Sequence, residues 1–113
     1  MFKIQFIGNV GADATLKQFE NSSVINFSVA VTETHKGKDG QKQEVIKWID
    51  CEIWNRPKLH PVILKGTMLF VNGTPEVRAY MPKEGKDPKA VQVCRVDELD
   101  ILSKRPGEIF PFD

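Results

Sequence analysis

The sequence predicts an all-β domain of five strands, with one short helix between the third and the fourth, and three observations carry that reading. Apolar and polar residues alternate through much of the chain, the period of a half-buried strand and not of a helix. The alternating runs are separated by clusters of Gly, Asn, Asp, Ser and Pro, the residues that punctuate turns. Only Pro57 to Lys65 suits a helix, with Pro57 fitted to a first turn and Gly66 to a C-cap. Pro61 limits it to one or two irregular turns, because an interior proline removes a donor and crowds the preceding turn.

Taken in order, Phe2, Ile4 and Phe6 alternate with Lys3 and Gln5 as a first strand, which runs into a tight turn over Gly8 to Asp13. Thr15 to Phe19 is short and extended, and Glu20 to Ser23 forms a hairpin-like turn. The second main strand, Val24 to Thr32, puts Ile25, Phe27, Val29 and Val31 on a core face. Asn26, Ser28, Ala30 and Thr32 lie opposite, small enough to leave the outer face open to a ligand. Thr34 to Gln43 is a polar loop, and the third strand, Glu44 to Asn55, follows it. A fourth strand covers Met68 to Met81, with a bend or bulge at Gly73-Thr74-Pro75 and with Arg78 and Tyr80 on the face opposite Val77, Ala79 and Met81. After a polar loop from Pro82 to Lys89, Ala90 to Ser103 makes a fifth strand, bulged because Val91 and Val93 do not share parity with Val96. Five strands in this order, with a helix after the third, are what a five-stranded Greek-key OB barrel requires. Residues 1–103 form that domain and residues 104–113 a short tail. Because one fold hosts many ligands, function has to be argued from side chains.

Composition narrows the classes. A chain of 113 residues with 41% hydrophobic and 27% charged residues is one ordinary globular domain with a core of its own. A formal net charge of +1 offers no bulk attraction to nucleic acid, so any electrostatic footprint must come from arrangement. From His35 to Lys89 there are eleven Lys/Arg against seven Asp/Glu, a local +4 beside −3 elsewhere. Cys51 and Cys94 lie in apolar strand patterns without metal-ligand spacing, and read as buried free thiols of a reducing compartment. The alternating start is unlike a signal peptide, and no apolar run approaches the roughly 20 residues that span a bilayer, so the expected location is the cytoplasm, away from membranes.

The third strand is the most informative stretch. From Trp48 to Trp54 it alternates strictly: Ile49, Cys51 and Ile53 on one face, Trp48, Asp50, Glu52 and Trp54 on the other. Two carboxylates put the second face in water and so present both indoles at the surface. Such a pair is either covered by a loop or second subunit, or it is a platform on which bases stack, worth roughly 1–3 kcal/mol per base with little regard to sequence.

The opening I-G-N-V-G-A-D, the strand I-N-F-S-V-A-V-T-E, then W-I-D-C-E-I-W-N, L-K-G-T and V-N-G-T-P-E-V-R-A-Y together resemble the bacterial single-stranded DNA-binding proteins, over about Met1 to Ser103. The resemblance implies that Trp48, Trp54 and Tyr80 stack on bases, with His35 at a fourth stacking position where the family usually has tryptophan. It implies that Arg56, Lys65 and Arg78 meet phosphates; Lys36, Lys38, Lys42 and Lys47 join them as candidates by proximity. It also implies a homo-oligomer, a tetramer or a dimer, acting beside the nucleoid in replication, recombination or repair. The family's long acidic tail with a partner-docking tip is here shortened to G-E-I-F-P-F-D. Phe110, Pro111 and Phe112 are either a reduced docking tip for replication and repair proteins or a segment packed on this or a neighbouring subunit.

An enzyme is not expected, because no Ser or Cys stands at catalytic-motif spacing and neither metal-ligand spacing nor a glycine-rich phosphate loop is present, and neither cofactor nor metal is implied. The expected function is sequence-independent binding and protection of single-stranded DNA. The alternative is an OB-fold accessory module of a replication-restart complex that uses the same face for proteins and binds nucleic acid weakly. Asp50 departs from the family, which often has a basic residue there, and an acid between two stacking tryptophans opposes phosphate. Asp50→Lys should therefore bind oligo-dT more tightly, with a salt dependence steeper by about 0.7 for each further phosphate neutralised. Titrations at several salt concentrations read both quantities; an unchanged affinity would take Asp50 out of the binding path.

Overall fold

The computed structural model describes residues 1–85 and 87–103, so Phe110, Pro111 and Phe112 lie outside the described residues. Six strands form a single sheet: β1 (Ile4–Val10), β2 (Thr15–Gln18), β3 (Ser23–Lys36), β4 (Lys42–Trp54), β5 (Met68–Tyr80) and β6 (Lys89–Ser103). Their order is β1-β5-β6-β4-β3-β2, and an added β1–β3 pairing closes the first five members of that order into a ring. The expected all-β barrel is present. The sixth strand is β2, which pairs along the edge of β3 through four registered pairs from Thr15↔Asn26 to Gln18↔Ser23.

The core is made by the alternation read from the sequence. Ile25 and Val29 of β3, Cys51 and Ile53 of β4, Leu69 and Val71 of β5, and Cys94 of β6 are all fully buried. Ile63, just past the helix, plugs the same core. Cys51 and Cys94 are free thiols in register on neighbouring strands, and burial pushes both upward, Cys94 to about 11, so neither is a thiolate at neutral pH.

Several bounds differ from expectation, each for a physical reason. The helix is a 3-10 turn over Pro57–Val62, shorter than Pro57 to Lys65, because Pro61 lies inside it and the tighter spacing avoids a long interior. Its cap is Ile63; Gly66 adopts φ 88 in a separate turn, where its N–H donates to Val10 O at 2.8 Å and leads into β5. The loop expected over Thr34 to Gln43 is reduced to Gly37–Gln41, because the β3–β4 ladder continues to Lys36↔Lys42 with polar side chains on both faces. The turn itself is held by Gly37 N–H to Gln41 O at 2.7 Å. The bulge expected in the fifth strand is present in β6, where pairing steps from Asn72↔Glu98 to Gly73↔Val96 and leaves Asp97 unpaired; at the bend or bulge expected at Gly73-Thr74-Pro75 the extra residue is therefore on the partner strand. Asp97 then ties distant parts together, pairing its carboxylate with Lys3 and accepting at its carbonyl from Arg56 Nη1 at 3.1 Å.

Ring closure depends on glycine at Gly8, where β1 crosses β3. A Cβ there would collide with the backbone oxygen of Ala30 and lie 2.6 Å from Val29 Cγ1. Gly8→Ala should lower unfolding free energy by about 1–3 kcal/mol, the usual cost of overpacking. Urea denaturation measures it; an unchanged midpoint would mean that the β1–β3 contact relaxes without cost.

Candidate nucleic-acid interface

The outer faces of β3, β4, β6 and β5 lie side by side and form one shallow groove of ≈ 590 Å³. Register explains which side chains share it. Ser28 lies opposite Asp50 and Asn26 opposite Glu52 across the β3–β4 ladder, while Asp50 and Glu52 neighbour Val93 and Arg95 across the parallel β4–β6 ladder. Arg78 and Tyr80 of β5 pair with Val91 and Lys89, which brings them onto the same side.

The aromatic candidates occupy different situations. Trp48 is 56% exposed, two residues from Asp50 on the same face, and packs on Gly11, where a Cβ would lie only 2.6 Å from its ring. Tyr80 is 51% exposed and lines the groove from β5. Trp54 is only partly exposed. Phe19 stacks on it with ring centroids 6.4 Å apart and planes at 20°, and the Arg95 guanidinium lies 5.8 Å from its centroid. Covering by a loop, the alternative weighed for both indoles, therefore describes Trp54 and not Trp48. Its indole N–H lends some stabilisation to the Glu52 carboxylate at longer range but reaches no acceptor at hydrogen-bond distance. Phe19 is itself 54% exposed and extends the aromatic surface. Sequence reasoning missed it; the available signal was a large aromatic placed in an otherwise polar turn, Gln18 to Ser22. His35 is not brought to this face. Pairing of Ala30 with Trp48 and of His35 with Gln43 puts His35 on the side of Lys47, and its Nε2 lies 3.4 Å from Glu33.

The cations are likewise divided. Lys36, Lys38 and Lys42 are exposed at the tip of the β3–β4 hairpin, and Lys65 is exposed in the turn that follows the 3-10 helix. Lys47 pairs with Glu33 at 3.1 Å on the face away from Trp48. Arg56 has one guanidinium nitrogen on the Asp97 carbonyl. Arg78 is the most engaged: its guanidinium takes Glu52 in a two-point pair at 2.7 and 3.1 Å, and its Nε and Nη2 reach Glu76 at 3.2 and 3.0 Å. A phosphate approaching Arg78 has to displace two carboxylates.

Among the described residues, no group of three or more His, Cys, Asp or Glu is placed to hold a metal, and no helix is long and apolar enough to cross a membrane. His60 donates from Nε2 to Ala14 O at 2.9 Å, and Asp13 accepts from the Lys65 N–H at 2.7 Å, so both serve to pin the loop beside the groove.

The model of the single-strand binding protein family matches residues 1–102. The chain belongs to that family. Among its curated relatives, single-stranded DNA-binding protein 1 of Xylella fastidiosa is 29% identical over 107 residues, covering 91% of this chain and 78% of that one. The single-stranded DNA-binding protein of Oceanobacillus iheyensis is 31% identical over 111 residues, covering 94% of this chain and 66% of the relative. The chain spans 60% of the length of the Neisseria meningitidis relatives. Solved family structures share the fold. A Plasmodium falciparum SSB in complex with ssDNA superposes with a TM-score of 0.73 at 20% identity, over 91% of this chain and 96% of that one. The small single-stranded DNA-binding protein of Streptomyces coelicolor gives 0.75 at 15% identity, over 88% and 93%.

Within this family member, the pair between Arg78 and Glu52 has a pH signature. The Arg78 hydrogen bonds hold the Glu52 carboxylate below the usual glutamate range, against the opposing effect of partial burial. A lowered folded-state value contributes stability that is present above the unfolded glutamate pKa of about 4.3 and is lost as pH falls through the lowered value. Glu52→Gln should therefore flatten the acid limb of the stability profile between about pH 5 and pH 3. Unfolding midpoints of both proteins across that range test it; parallel curves would place the acid sensitivity elsewhere.

Proposed function

We propose that this protein binds single-stranded DNA with little regard to sequence, by stacking bases on exposed aromatics and neutralising phosphates, and that it protects strands exposed during replication, recombination or repair. The observation that carries the reading is the pair of half-exposed aromatics on the outer surface, Tyr80 lining the groove between β3 and β5 and Trp48 beside it on the Asp50 face of β4. Family membership and relatives named for single-stranded DNA binding support it. The action is binding without catalysis.

On this reading Trp48 and Tyr80 are the principal stacking residues, and Trp54 contributes an edge together with Phe19. Lys36, Lys38, Lys42 and Lys65 are free to follow the backbone, whereas Lys47, Arg56 and Arg78 first exchange a protein partner for phosphate. The protein acts as a homo-oligomer, a tetramer or a dimer, in the cytoplasm at the nucleoid. Replication and repair proteins are proposed to dock through Phe110, Pro111 and Phe112.

One observation favours the second reading, an OB-fold interaction module that binds nucleic acid weakly. The groove carries Asp13, Asp50 and Glu52, and its arginine is already paired.

Tryptophan fluorescence separates the two. Oligo-dT should quench strongly and duplex DNA little, at low and moderate salt alike. Trp54→Phe, which leaves Trp48 as reporter, should keep most of the quenching, and Trp48→Phe should lose most of it. Trp48→Ala and Tyr80→Ala should each weaken binding by about 1–3 kcal/mol. Absence of quenching by either DNA at low salt would transfer the face to a protein partner.

A further inference from the structure

The groove is charged against phosphate and in favour of base edges. Among its described lining residues the only cation is Arg78, and its fork is filled by Glu52 and Glu76. The remaining ionised groups on the floor are carboxylates. They are not equally available: Asp13 Oδ1 accepts from the Lys65 N–H, and both Glu52 oxygens are taken by Arg78. Asp50 is exposed. Its Oδ1 lies 3.1 Å from Ser28 Oγ, and its second oxygen has no protein partner among the described residues. It stands two residues from exposed Trp48 on the same face of β4, a separation of about 7 Å along the strand, comparable with the span of a base.

We infer that Asp50 superimposes a modest base bias on this otherwise sequence-tolerant face, favouring bases that offer N–H donors, guanine first, over thymine. The inference rests on the proposed use of this face for single-stranded DNA. An ionised carboxylate only accepts hydrogen bonds. The Watson–Crick edge of guanine carries two adjacent donors, N1–H and the N2 amino group, which match the two oxygens of one carboxylate. Cytosine and adenine present one amino group beside an acceptor nitrogen. Thymine presents a single N–H between two carbonyls, and both carbonyls are repelled by the carboxylate. In a single strand these edges are unpaired and free to be read. The phosphates, excluded from the acidic floor, follow the lysines at the rim.

The test compares three oligonucleotides of equal length by tryptophan quenching: oligo-dT, a repeat with one dG after every two dT, and the same repeat with inosine for guanine. Isolated guanines avoid four-stranded assembly, and inosine removes only the N2 amino group. The guanine repeat should bind about five- to tenfold more tightly than oligo-dT, with inosine between them. All three should share one salt slope, because the number of phosphates is the same. Asp50→Asn and Asp50→Ala should both bring the three affinities to within about twofold, since neither retains paired acceptors at that position. Equal or tighter binding of oligo-dT by the unmodified protein, or a guanine preference that survives in both variants, would overturn the inference. Failure of all three oligonucleotides to bind is a different outcome: it removes the proposed DNA site itself, and the base preference with it.

Discussion

Everything on the outer face depends on a short parallel contact between β4 and β6. Three registered pairs make it: Asp50↔Val93, Cys51↔Cys94 and Glu52↔Arg95. The other pairings are antiparallel, and the long β3–β4 and β5–β6 hairpins join neighbours in the chain. Such hairpins form with a small loop-closure cost, whereas β4 and β6 meet only after the helix and the whole of β5 have been traversed. Parallel pairing is slightly weaker per residue, so this contact leans on what lies beneath it. Cys51 and Cys94 are fully buried there, small enough to let the two backbones approach over a dense core.

That contact also determines the electrostatics. It inserts β6 between β4 and β5 and so lets Arg78 span the gap to Glu52. Glu52 is largely covered while Arg78 is nearly half exposed, so the pair is neither a loose surface bridge nor a buried one. The result is a groove whose arginine is neutralised locally, while exposed lysines stand at the hairpin tip and beside the helix. A net charge of +1 conceals this division. In the proposed complex the two halves of a nucleotide meet different surroundings: the base an aromatic and acceptor-lined floor, the phosphate a cationic rim.

Much of this was legible in the sequence. Strict alternation from Trp48 to Trp54 identified Ile49, Cys51 and Ile53 as core and the tryptophans as outward, because the two-residue period of a strand is local geometry. The parity change between Val93 and Val96 announced a bulge, and Pro61 announced a short irregular helix. What the local pattern left open was partnership. Trp48 and Trp54 read alike along the chain, yet Phe19 and Arg95 cover one and leave the other exposed. Arg78 read as a free cation until β6 placed Glu52 opposite it. His35 read as a neighbour of the tryptophans, but an odd number of steps from Ala30 turns it to the other side of the hairpin.

The sequence by itself determined where the five main strands run, which face of each is apolar, and the family resemblance, since propensity, period and motif order are properties of neighbouring residues. Tertiary structure decided which exposed groups remain available to a ligand. Availability depends on residues far apart in the chain, Phe19 against Trp54, Glu52 against Arg78, Lys3 against Asp97, brought within a few ångströms only when the barrel closes.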